Sequence, residues 1–306
     1  MFAFYAAPFT PLHSDGILNL SMIPPLVEGL IADGVTGAFV CGSNGEGPSL
    51  TTQERMLVAE AFVKAANKRL PIWGHVGHSS IAEARLLIKH AEAIGADAAS
   101  AVAAFYFKPG SVESLIACMA SIAEAAPSLP FYYYHVPTLT GVGMDMVKFL
   151  SLADGQIPTL HGIKYTASTI WEYQACLNHH GDRYTILYGF DEMLLPALSV
   201  GAKAVIGSTY NFATPLYKTV VQKFLEGALS EAQATMNLLI DMVRILLKHA
   251  PIPAQKAIMK MLGSDVGGCR LPLETLSQQA YESLYDDLEQ IGFWAALGHA
   301  KASPLS

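Results

Sequence analysis

The feature that most limits the fold of this 306-residue sequence is an alternation sustained over its first 226 residues. Short apolar segments of strand length fall at 3–7, 37–41, 71–76, 98–103, 130–134, 160–164, 185–188 and 204–207. Helical stretches lie between and after them, near 21–33, 52–68, 80–94, 111–126, 144–153, 169–180, 190–200 and 214–226. Strands separated by helices in this way build a parallel sheet. Eight such units is also the number that closes a barrel. A doubly wound open sheet is the competing arrangement. It is disfavoured because no G-x-G-x-x-G turn follows the first strand. The expected fold is therefore α/β, a (β/α)8 TIM barrel with appended C-terminal helices.

Local signals agree with the helix starts. Thr51/Glu54, Ser80/Glu83 and Thr169/Glu172 have the spacing of capping boxes, in which a hydroxyl and a carboxylate satisfy free backbone N–H groups reciprocally. After residue 226 the alternation stops. Ser230/Gln233 opens a helical stretch at about 231–249, and others follow near 253–262 and 276–291. No Gly/Ser- or Pro-rich linker divides the chain. The expected organisation is a barrel over 1–226 and a helical extension over 227–306, packed together as one structural unit.

Composition excludes several classes. A chain that is 52% hydrophobic and only 15% charged can bury a large core. A net charge of -7 without basic runs argues against a nucleic-acid surface. The opening MFAFYAAPFT lacks a basic segment and meets Pro8 early, so it is a poor signal peptide. No apolar run reaches membrane-spanning length. Cys41, Cys118, Cys176 and Cys269 are scattered, which suits a reduced, cytoplasmic protein.

In such a barrel, chemistry gathers at the C-terminal ends of the strands. Those ends carry "CGSNGEGPSLT", "YYYHVPTLTG", "KYT", "GFDE" and "GSTYN". In "GSNGEG" (42–47), three glycines permit unusual backbone angles, and successive N–H groups beside a helix start can hold a carboxylate. A tight turn with nothing bound is the plainer reading. Tyr132 and Tyr134 share one strand face, and Tyr134 ends its strand, where its hydroxyl could relay a proton. Lys164 stands at the end of a central strand. A lysine on an exposed helix would snorkel to water, but here the amine is directed into the barrel mouth. An amine in a partly apolar site can lose its proton and attack a carbonyl carbon, giving a Schiff base. His75 and His78 are too few for a metal site, and neither metal nor cofactor is expected.

These motifs, taken in order, resemble the pyruvate-dependent class I aldolases, the family of the dihydrodipicolinate synthases and N-acetylneuraminate lyases. The resemblance runs from "AAPFTPL" to the appended helices. It implies that Lys164 forms the Schiff base with pyruvate and that Tyr134 is the general acid/base. It implies that Ser43 and Asn44 hold the pyruvate carboxylate, and that Tyr106 in "FYFKP" reaches a neighbouring subunit of a homotetramer. Within the family, the stretch "YHVPTLTG" lacks the arginine typical of the synthases. Asp191 and Glu192 of "GFDE", with Gly189, Thr166 and Ser208, match positions where the lyases contact a sugar acid. Paired carboxylates suit sugar hydroxyls because each accepts several hydrogen bonds. The substrate implied is sialic acid, cleaved to an N-acetylhexosamine and pyruvate. Another keto-acid aldolase, or a sugar-acid binder without catalysis, are the alternatives. Asn44 departs from the hydroxyl residue usual in the family, His135 from an asparagine, and Ala104 from a proline.

Overall fold

The computed structural model describes residues 2–298, so residues 299–306 of the expected extension lie outside the described residues. Eight strands form one closed barrel in chain order. They are β1 (Ala3–Ala6), β2 (Gly37–Val40), β3 (Ile72–His75), β4 (Ala98–Val102), β5 (Phe131–His135), β6 (Leu160–Tyr165), β7 (Thr185–Tyr188) and β8 (Ala204–Gly207). Every pairing is parallel, and β1 closes on β8 from Ala3↔Ala204 to Ala6↔Gly207. The (β/α)8 expectation holds, and each strand end falls within one residue of its expected place.

The barrel helices are α1 (Ile23–Ala32), α2 (Thr52–Ala66), α3 (Ile81–Ala93), α4 (Val112–Ala123), α5 (Pro137–Thr140), α6 (Met146–Ala153), α7 (Ile170–His180), α8 (Leu194–Ser199) and α9 (Thr214–Leu225). The short α5 was not anticipated; Pro137 at its start presets the backbone angle of a first helical turn. Beyond the barrel come α10 (Leu229–Lys248), α11 (Pro251–Met261), α12 (Gln278–Gln290) and α13 (Phe293–Ala296). Helix α10 buries Ala232, Met236, Leu239, Met242 and Leu246, a stripe at helical spacing that packs on α9 and α11. Among the described residues, no helix is long and apolar enough to cross a membrane.

Strand alternation divides two cores. Outward-facing residues such as Ala38, Ile72, Phe131, Tyr133, Ile163 and Val205 pack against the helices. Inward-facing residues form a separate cluster of Phe39, Trp73, Tyr132, Tyr134, Leu187 and Ile206. Near the N-terminal ends of the strands, Trp73 stacks on Tyr132 at 4.1 Å and meets Tyr5 at 4.5 Å. These rings make an aromatic floor and direct any ligand to the opposite mouth.

The caps show where local signals yield to tertiary partners. Thr51/Glu54 forms the full reciprocal box. Ser80 accepts from Glu83 N–H, but the Glu83 carboxylate takes the Thr52 hydroxyl at 2.6 Å instead of closing the box. Thr169 makes no cap, because Glu172 instead accepts from Tyr165 Oη at 2.5 Å and Met146 N–H at 3.0 Å. Ser230 does not open α10 either: the helix begins at Leu229, behind Ala228.

Candidate active site

Lys164 is the fifth residue of β6 and faces inward, only 5% exposed. Its Nζ lies 4.2 Å from the ring centroids of both Phe39 and Tyr134. Cation–π contact of this kind partly replaces lost hydration without fixing the amine in a salt bridge. Strand pairing places Tyr134 directly beside Lys164, as Cα partners on β5 and β6. Phe39 and Tyr134 meet edge to face at 5.6 Å.

His75 completes this wall. Its ring meets Phe39 at 5.7 Å and Tyr134 at 5.9 Å, both edge to face. Buried Arg55 reaches in from α2, with Nη2 3.1 Å from His75 Nδ1 and 2.6 Å from the His75 carbonyl. Its Nη1 donates to the Gly77 carbonyl at 2.9 Å. Arginine can only donate, so Nδ1 accepts and the ring proton sits on Nε2. Burial, then the charges of Arg55 and Lys164, hold the imidazole well below its usual pKa. The ring beside the lysine is therefore neutral near pH 7. His78, by contrast, accepts the Ser80 N–H at 2.9 Å, at the start of α3. Among the described residues, no three His, Cys, Asp or Glu side chains converge as a metal site.

Polar residues follow the strands at the same end of the barrel. Asp191, after β7, is buried, and its Oδ2 accepts from Thr209 N–H at 2.8 Å and Thr209 Oγ1 at 2.7 Å. Among the described residues, its Oδ1 and Thr166 Oγ1 are buried without a hydrogen-bond partner of ordinary geometry, although the Ser208 backbone N–H also acts on the Asp191 carboxyl. Burial raises the Asp191 carboxyl pKa, against the opposing hydrogen bonds of Thr209 and the charge of Lys164. Burial also raises that of Glu192, which is half-buried, with Asp191 adding to the rise. Two glycines make room here. A Cβ on Gly189 would stand 2.0 Å from Thr166 Oγ1, and one on Gly207 would stand 1.5 Å from Asp191 Oδ1. Ser208 is half-buried beside Gly207, where its carbonyl accepts from Asn211 Nδ2 at 2.7 Å.

Ser43 and Asn44 are half-buried in the loop after β2. Asn44 Nδ2 donates to the Ala7 carbonyl at 3.4 Å, a carbonyl that also accepts from Asn211 Nδ2 at 2.8 Å. The loops after β1, β2 and β8 thus meet at one point. Of the residues expected at the site, Lys164, Tyr134, Ser43, Asn44, Thr166, Gly189, Asp191, Glu192 and Ser208 all lie at the C-terminal end of the barrel. Tyr106 does not join them within one chain: it is 77% exposed and packs on Phe107. Sequence reasoning did not single out Phe39, Thr209 or Arg55, and weighed His75 only as a metal ligand. Strand alternation could have placed Phe39. Nothing local marks Arg55, which reads as an ordinary cation on a surface helix.

A closed (β/α)8 barrel with a buried amine and a tyrosine side by side on adjacent strands defines an aldolase-type barrel enzyme. The pattern of the Dihydrodipicolinate synthetase family matches residues 2–291. The chain belongs to that family, as its motifs led us to expect. It is 33% identical over 306 residues to the N-acetylneuraminate lyase of Mus musculus, covering 98% of this chain and 96% of that protein. It is 38% identical over 272 residues to that of Xenopus tropicalis, covering 88% of this chain and 89% of that one. The solved Proteus mirabilis N-acetylneuraminate lyase superposes with a TM-score of 0.93 at 37% identity, covering 96% of this chain and 99% of that one.

Proposed function

We propose that this enzyme is a class I aldolase that cleaves N-acetylneuraminate reversibly to N-acetylmannosamine and pyruvate. The observation that carries the reading is the Lys164 amine, buried between Phe39 and Tyr134 near the C-terminal end of β6. The neutral amine attacks the keto carbon of the open-chain sugar acid. Loss of water gives an iminium. Tyr134 gives its phenolic proton to the departing water; as phenolate it then takes the proton of the hydroxyl on the scissile bond, and the electrons of the breaking C–C bond flow into the iminium as an enamine. The sugar leaves as an aldehyde. Protonation and hydrolysis then release pyruvate and restore the lysine. Ser43, Asn44 and their loop hold the carboxylate. Thr166, Gly189, Asp191, Glu192 and Ser208 receive the polyhydroxyl tail. The buried oxygens of Thr166 and Asp191 without a hydrogen bond of ordinary geometry support that role, since buried polar groups without partners are costly unless a ligand satisfies them.

The test is reductive trapping. Incubation with pyruvate and borohydride should add one reduced pyruvyl group, read by protein mass. Lys164→Ala should abolish the adduct, and an adduct that survives would remove Lys164 from this role. Tyr134→Phe should slow cleavage by about 10²-fold or more while adduct formation continues. Turnover of 2-keto-3-deoxygluconate equal to or better than that of N-acetylneuraminate would reassign the sugar. The assembly we propose is a cytoplasmic homotetramer, with the exposed Tyr106 meeting a neighbouring copy. The four cysteines are free thiols, which suits a reducing compartment.

A further inference from the structure

The loop that presents Ser43 and Asn44 is held by the C-terminal extension. Glu46, in the same loop, adopts a left-handed backbone with φ 52° and is buried. Lys256 on α11 reaches its carboxylate at 2.5 Å, and the two side chains are 2% and 0% exposed. Glu46 Oε2 also accepts the Arg270 N–H at 2.8 Å. Lys256 donates in addition to the Thr10 carbonyl at 3.2 Å and the Gly268 carbonyl at 2.6 Å. Thr10 Oγ1 in turn donates to the Gly45 carbonyl at 2.6 Å. Within the loop, Glu46 N–H bonds the Ser43 carbonyl at 3.0 Å, so the position of Glu46 sets that of Ser43.

A buried ion pair is a poor way to gain stability, because well-packed apolar residues serve as well or better. Left-handed backbone at a residue other than glycine persists only where its surroundings over-determine it. Both features fall on one residue, three positions from Ser43. Their common effect is geometric: the ion pair holds the donors of the loop in one place.

We propose that Lys256 is a positioning residue for the carboxylate-holding loop, acting through Glu46 from outside the barrel. This inference rests on the proposed imine chemistry and on the assignment of the loop to the pyruvate carboxylate. Lys256 touches no reacting atom. Its loss changes how well pyruvate is held rather than whether the amine can react.

The experiment measures the borohydride-trapped adduct against pyruvate concentration in the full chain and in Lys256→Met, with the fold of each checked by circular dichroism. The expected result is a rise of about tenfold or more in half-saturating pyruvate, with the adduct at saturation retained. Thr10→Val removes one clamp to the same loop without stranding a buried charge. It should raise half-saturating pyruvate about threefold. A merely structural role lowers the melting temperature and leaves the half-saturation unmoved. That outcome in a folded Lys256→Met chain overturns the proposal. If Lys256→Met does not fold, the double variant Lys256→Met/Glu46→Gln, which leaves no buried carboxylate unpaired, takes its place, and an unmoved half-saturation there overturns the proposal. An unsubstituted chain that traps no pyruvate overturns the imine reading and this inference with it, and does so before any variant is made.

Discussion

Gly189 and Thr166 show how closely single atoms are fitted at the rim. Because a Cβ on Gly189 would stand 2.0 Å from Thr166 Oγ1, Gly189→Ala must push that hydroxyl aside. The expected outcome is a KM for N-acetylneuraminate raised about tenfold, with pyruvate trapping little changed. Steady-state kinetics beside adduct mass will check it. An unchanged KM would separate Thr166 from the sugar. The positions of Lys164 and Tyr134 were legible in the sequence because each stands one residue before a strand ends, and strand alternation determines which way each faces. The wall behind them was not. Among the described residues Arg55 meets two carbonyls and an imidazole and no carboxylate, and it follows no motif. It matters because α2 packs over β3 and brings a guanidinium against His75 Nδ1. That approach is a product of the fold, invisible to any local pattern.

At the level of elements, the start of α2 is both capped and tethered. Glu54 closes the box with Thr51 and receives Arg270 through two bonds, of 2.7 and 2.5 Å. The Arg270 hydrogen bond is the largest cause of a Glu54 pKa lowered to about 2, and hydrogen bonds from Thr51 add to it. A carboxyl depressed on folding contributes stability that is present above its unfolded pKa and lost as pH falls through the folded value. Glu54→Gln should therefore lower the melting temperature at pH 7. The gap to the parent protein should narrow as pH falls from about 4.5 toward 2. A gap that does not change with pH would mean that the charge of Glu54 is not what stabilises this helix start. The Glu46–Lys256 pair makes a second prediction at this scale. Lys256→Met alone strands a buried carboxylate and should cost about 3–5 kcal/mol, while adding Glu46→Gln should recover much of that loss. Denaturant melts of the three proteins measure it. Helices and strands were readable from apolar periodicity, and the Thr51/Glu54 box from its spacing. The box at Thr169/Glu172 failed because Tyr165 and Met146, distant in pattern but adjacent in space, compete for the same carboxylate.

For the molecule as a whole, eight repeated strand–helix units left little freedom beyond closure, which is why the barrel could be read directly. The extension was visible only as helices after the alternation stops. That one of them sends a lysine back to the β2 loop depends on how α11 docks. On the surface, Phe105, Tyr106 and Phe107 stand exposed together, the last two at 77% and 86%. Contiguous exposed apolar surface of this kind marks an interaction site. Replacing Tyr106 and Phe107 by serine should shift sedimentation from the proposed tetramer to smaller species, and unchanged sedimentation would place the contact elsewhere. The aromatic floor of Tyr5, Trp73 and Tyr132 has a kinetic corollary. A vessel closed at one end has a single doorway, and the fragment tethered deepest must depart last. The aldehyde sugar therefore exits first and pyruvate second. Added pyruvate should compete with N-acetylneuraminate for the free enzyme, whereas added N-acetylmannosamine should inhibit noncompetitively.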